Sequence, residues 1–194
     1  MHKVSFRTTE HPIKRFSGIQ PADPLSSQTA PVSWHPSSSS STSEGLPDKK
    51  VMQQVKALFE SAREMTFEDG MESDFSCDLE KLIRKHQTTA LVEIVDQICY
   101  RQGIDELKAE ALRWLGRILD RTTYNYRRWL LEHCLSDPSP RVRDGAVLGL
   151  ASLDDPHSIP YLREAVNRET CSELRKDMQQ TLSELETTAS CHTC

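Results

Sequence analysis

The chain reads as all-α, an α-α solenoid of stacked antiparallel helix pairs behind a disordered N-terminal arm. Three observations lead there. After Pro47, apolar residues recur at spacings of three, four, seven and eight, while sustained alternation at period two is absent. Three of the amphipathic segments repeat one another at separations of 35 and 32 residues. Residues 1–47 hold most of the prolines and the run Ser37 to Ser41, with almost no recurring apolar spacing. Such a segment buries too little surface to offset its ordering entropy, so it is expected to be disordered, with Trp34 its only large anchor.

The helical part is expected over residues 48–187, with 188–194 as a flexible tail. Asp48 suits a cap for a first helix whose stripe is Val51, Val55, Leu58 and Phe59. The pattern breaks from Thr66 to Ser73 around Gly70, then resumes with Phe75, Leu79, Leu82 and Ile83. Leu91, Ile94, Val95 and Ile98 mark a third helix, begun near Thr88 or Thr89 and ended by Gly103. Asp105 caps a fourth, with Leu107, Ala111, Leu112, Leu115 and Ile118. A fifth runs from about Thr123 to Leu135 and carries Tyr126, Trp129, Leu130 and His133 on one face.

Pro140 sits where a first helical turn tolerates a missing N–H, and Val142, Ala146, Leu150 and Leu153 follow. Asp155-Pro156 stops that helix and starts another, with Ile159, Leu162 and Val166 as its stripe. Thr170-x-x-Glu173 has the form of a capping box ahead of Leu174, Met178, Leu182 and Leu185. Aligned on Leu107, Val142 and Leu174, these helices match again at Ala111, Ala146 and Met178, and at Leu115, Leu150 and Leu182. A second amphipathic helix lies between successive members, which is the grammar of a helical solenoid.

Each glycine inside a helix costs about 0.5–1 kcal/mol relative to alanine, so a helix with two needs a compensating contact. Gly145 and Gly149 are four apart and share a face, which predicts close approach of another helix there.

Residues 136–166 resemble HEAT repeats, and within them the HEAT-like repeats named after phycobilisome lyases. The resemblance rests on Asp137-Pro138, Val142-Arg143, Ala146, the small-residue string Gly145 to Ala151, Leu153, Asp155-Pro156, Ile159-Pro160 and Leu162. It extends more loosely over 104–186. It implies stacked antiparallel HEAT-like pairs and partner binding, and carries no reaction with it. It also implies an ion pair for Arg143 with an aspartate of a neighbouring turn, here Asp137 or Asp155.

The net charge of −5 and pI near 5.8 speak against general binding to nucleic acid or anionic membranes, which need a net basic surface. No run approaches a membrane span, and MHKVSFRTTEHPIKRF lacks the apolar core of a secretory signal, so a cytoplasmic protein is expected. Glu10 and Asp23 count against a transit peptide. Cys77, Cys99, Cys134 and Cys171 fall singly in helical patterns and are read as reduced, mostly buried thiols. Cys191-His192-Thr193-Cys194 offers one CxxC with no second pair to complete a zinc site, so no metal is expected.

No nucleophile elbow, phosphate loop or dinucleotide fingerprint occurs. His-Glu pairs, which hold iron in the HEAT-like deoxyhypusine hydroxylases, are also absent. His133 and Cys134 point about 100° apart on a helix, so they do not face each other. No catalytic residue and no cofactor is assigned.

The expected function is a non-catalytic module that binds another protein, in an oligomeric state left open. The expected surface is Arg113, Arg117, Tyr124, Arg127 and Arg128, opposed by Glu68, Asp69, Glu72 and Asp74. Two alternatives stand beside it. The resemblance implies a bilin lyase or chaperone-like factor acting on phycobiliproteins. A basic stripe of Lys108, Arg113, Arg117, Arg121, Arg127, Arg128, Arg141 and Arg143, interleaved with Trp114, Tyr124, Tyr126 and Trp129, would suit nucleic acid. Glu106, Glu110, Asp120, Glu132 and Asp137 dilute that stripe.

Overall fold

The computed structural model describes residues 49–68 and 70–191. The arm assigned to 1–47, the cap at Asp48, Asp69 of the acidic region and residues 192–194 lie outside the described residues. Helices α1 (Lys49–Ser61) and α2 (Asp74–Val95) are followed by a π turn (Asp96–Tyr100), α3 (Asp105–Arg117), α4 (Tyr124–Cys134) and α5 (Pro140–Leu153). A 3₁₀ turn (Pro156–Ser158), α6 (Ile159–Arg168) and α7 (Ser172–Cys191) complete the order. Among the described residues there is no strand, and no helix is long and apolar enough to cross a membrane.

Val51, Val55 and Phe59 bury one stripe of α1 against α2. Phe59 meets Phe75 edge-on at 5.4 Å, and Phe67 of the connecting segment approaches the same ring at 5.9 Å, so three aromatic rings close this first hairpin. A reciprocal cap starts α2: the Ser76 N–H donates to Ser73 Oγ at 3.2 Å, and the Ser73 N–H donates to Ser76 Oγ at 2.9 Å. The sequence suggested a helix boundary near Thr88 or Thr89. The break falls at Gln87, whose φ of 51° lies in the left-handed region, so the two stripes belong to two straight pieces joined by a kink.

From α3 onward the helices stack on near neighbours: α3 on α5, α5 on α7, α4 against α5, and α6 against α7. The buried ladder runs through Leu107, Ala111 and Leu115, then Val142, Ala146 and Leu150, then Leu174, Met178 and Leu185. These are the positions at which the sequence repeats, except in α7, where Leu182, the match to Leu115 and Leu150, is half-buried and Leu185 is the buried residue. The α3–α5 seam is made by small residues. A Cβ on Gly145 would stand 2.5 Å from the backbone of Ala109, and one on Gly149 would stand 2.6 Å from the Leu112 carbonyl oxygen. Gly116 faces the Gly149 backbone just as closely from the α3 side. Backbone therefore meets backbone, and any side chain would hold the helices apart.

Helix ends show where local signals yield to longer contacts. Pro140 opens α5 at its first turn, and Asp154, with φ of 49°, closes it in the left-handed conformation. Pro156 then opens the 3₁₀ turn, and Asp155 Oδ1 accepts the His157 N–H at 2.9 Å ahead of it. Helix α7 begins at Ser172, two residues beyond the Thr170 that the sequence suggested as a cap. Glu169 Oε1 accepts the Thr170 and Cys171 N–H groups, each at 2.9 Å, ahead of that start. Helix α7 also runs on to Cys191, into the segment expected to be a flexible tail.

Candidate partner-binding surface

Arginine placement divides this surface from the framework. Arg127 was expected on the partner-binding patch, and the structure corrects this: the side chain is wholly buried. Its Nη1 donates to the Leu115 carbonyl at 2.5 Å, Nη2 to the Asp120 carbonyl at 2.7 Å, and Nε to Thr123 Oγ1 at 3.2 Å. A planar fork of donors thereby serves the carbonyls left over at the end of α3 and in the α3–α4 turn. Arg113 is corrected in the same way: it is buried and paired with Glu110, which also accepts Trp114 Nε1 at 2.7 Å.

Arg128 is half-buried and donates to Asp155 Oδ2 at 2.7 Å, tying α4 to the turn between α5 and α6. Burial pushes the Asp155 carboxyl up, but the His157 N–H, Arg128, the His157 ring and Tyr124 outweigh it and hold it at about 2. Burial, with Asp155 beside it, pushes the Tyr124 phenol up to about 12. Within the expected patch, then, Arg117 alone among the arginines is exposed, its guanidinium 4.6 Å above the Trp114 ring.

Arg143 also departs from expectation. Its ion-pair partner is neither Asp137 nor Asp155 but Glu169, met by Nε and Nη2 at 2.7 Å each. Asp137 contributes its backbone carbonyl, which accepts Nη1 at 2.9 Å, while its carboxylate takes the Ser139 N–H at 2.8 Å ahead of α5. Arg143 thus joins the α4–α5 turn to the α6–α7 turn. Arg141 reaches Glu106 on α3 through Nε at 2.8 Å and also pairs with Asp144 at 2.7 Å. Arg113 and Arg127 are buried, and Arg128, Arg141 and Arg143 are engaged in ion pairs, so the basic stripe read from the sequence is largely committed to holding helices together.

Residues 99–183 match the family model of HEAT repeats. This segment is an array of HEAT repeats. The match is to HEAT repeats at large, a coarser assignment than the phycobilisome-lyase subgroup that the sequence resembles. No curated protein and no solved structure matches the chain.

On the first HEAT pair, the outer face of α4 presents an aromatic row. Tyr126 and Trp129 lie 5.6 Å apart with a 56° tilt, and Trp129 stacks on His133 at 5.5 Å and 16°. Trp129 is 46% exposed, although indole is among the groups a fold gains most by burying. Tyr100, at the end of the π turn, is 73% exposed. The sequence placed Tyr126, Trp129, Leu130 and His133 on a single face. The structure divides them: Leu130 points inward with Leu131, Trp129 and His133 are exposed, and Tyr126 is half-buried against the core. The available signal was the separation of Leu130-Leu131 from rings at 126, 129 and 133, a second stripe rotated from the first. Among the described residues, no group of three or more His, Cys, Asp or Glu stands where it could hold a metal ion.

Proposed function

We propose that this HEAT array is a non-catalytic module that binds a partner protein, with the Tyr126–Trp129–His133 row of α4 at the centre of the contact. The observation that carries this reading is the exposed Trp129, held rigid between two neighbouring rings on a helix that the rest of the array locks in place. Tryptophan and tyrosine dominate binding energy at interfaces because they remove a large apolar area from water at small conformational cost. Stacked repeats suit this task, since each added pair extends the surface without disturbing the core of its neighbours.

The test is capture from native extract on the immobilised full chain, comparing the wild type with Trp129→Ala. Loss of a central tryptophan weakens binding by about 2 kcal/mol, or roughly 30-fold. The captured partner should therefore vanish with the variant, while its melting temperature stays close to that of the wild type. Equal retention of the same proteins by both chains would overturn the proposal.

A further inference from the structure

The first and last helices of the described residues finish the stack in different ways. The exposed positions of α7 are polar, Gln180, Ser183, Glu184 and Thr187 among them, as a solenoid needs where no further unit packs. The α1–α2 hairpin instead carries an open groove of about 550 Å³. Ala57, Leu58 and Leu82 make its floor, the alanine exposed and the two leucines half-buried. Asp78, Lys81 and Lys85 make its α2 rim.

The groove faces away from the HEAT array. Gln87 accepts a hydrogen bond from the Thr122 hydroxyl of the α3–α4 turn, which marks the side of α2 that meets the array. At about 100° per residue, Asp78, Lys81 and Lys85 lie roughly 120–180° around α2 from Gln87. The rim is also positive. Lys81 meets Asp78 at 2.8 Å, but both side chains are more than half exposed, so solvent screens the pair. Lys85 has no ion-pair partner among the described residues. Two lysines against one aspartate therefore stand over an apolar floor, in a chain whose net charge is −5.

We propose that this groove receives an acidic amphipathic helix of a partner protein, laid against α1 and α2 as one more member of the stack. From Gln54 to Ser61 the α1 wall runs about 10 Å, or two helical turns. Two turns of a partner helix present apolar anchors at i, i+3, i+4 and i+7, which cover Ala57, Leu58 and Leu82. Ridges of side chains at these spacings are what grooves between packed helices accept. Carboxylates flanking the apolar stripe meet Lys81 and Lys85, and the charge match sets the partner's register. This contact is separate from the Trp129 row and does not depend on it.

The test is the fluorescence anisotropy of a labelled peptide titrated with the full chain. The peptide is about four helical turns of alanine, with leucine at i, i+3, i+4 and i+7 and glutamate on both flanks. A scrambled peptide of the same composition, and one with lysine in place of glutamate, are the controls. The glutamate peptide should bind saturably, more weakly as salt is raised, and neither control should bind. Lys85→Glu should weaken binding by about tenfold or more, and Ala57→Glu, which sets a carboxylate on the groove floor, should abolish it. Both positions are exposed, so circular dichroism should show the wild-type fold. Trp129→Ala should bind the peptide as the wild type does, which separates this site from the α4 row. No saturable binding, equal binding of either control, undiminished binding by the two groove variants, or loss of binding in Trp129→Ala would each overturn the proposal.

Discussion

Arg143 on α5 grips Glu169 with two hydrogen bonds of 2.7 Å, although 26 residues of chain separate them. The carboxylate side chain is 1% exposed, so the pair is shielded from solvent screening on that side. It also accepts two backbone N–H groups ahead of α7. One ion pair therefore secures both the spacing of consecutive HEAT units and the start of the last helix.

Acid should unfold the array by protonating this carboxylate and its counterpart at Asp155. Arg143 holds Glu169 at about 2, against an ordinary 4.5. Asp155 is held at about 2 against an ordinary 3.8, burial pushing it up and its hydrogen bonds more than offsetting that. Because both folded values lie below the unfolded ones, the unfolded chain binds more protons in this window, and stability rises with pH. The contribution is fully present above about 5 and lost as pH falls toward 2. Urea unfolding at a series of pH values should trace this slope. Arg143→Ala should flatten it and lower stability near neutrality by about 2 kcal/mol, the two remaining N–H donors keeping the loss below that of an abandoned buried charge.

Gly145→Ala should destabilise the protein even though alanine is the better helix former. The added Cβ would stand 2.5 Å from the Ala109 backbone, which cannot rotate away as a side chain could. Prising α3 from α5 is expected to lower stability by about 1–3 kcal/mol, read as a drop in melting temperature. A variant as stable as the wild type would mean that the two backbones are not in contact.

Arg127→Ala and Arg117→Ala should differ sharply, although the sequence placed both arginines on one surface. The first leaves the Leu115 and Asp120 carbonyls without their donor and opens a cavity, with an expected loss of about 3 kcal/mol. The second removes an exposed guanidinium resting on Trp114 and should change stability by about 0.5 kcal/mol or less. Parallel denaturant titrations of the two variants make the comparison.

The helices, their buried stripes and the repeat were legible in the primary sequence, because each depends on residues three and four apart along one strand of chain. Leu107, Val142 and Leu174 could be aligned before any contact was known, and the same local logic located the break that falls at Gln87. The glycine pair could be read too, since two weak helix formers on one face need a reason.

Partners across the stack were not legible. Asp137, Asp155 and Glu169 are chemically equivalent candidates for Arg143 in a linear reading, and the choice among them depends on how far one HEAT unit is displaced from the next. Charge ordinarily implies exposure, yet Arg127 is buried because the end of α3 converges with the α3–α4 turn around it. Apolar bulk ordinarily implies burial, yet Trp129 faces water because Leu130 and Leu131 already fill the inner face of α4. Periodicity along a helix is a short-range property that the order of residues alone can encode. Which charge meets which, and which ring is left outside, are properties of distances between helices, and these exist only once the units have stacked.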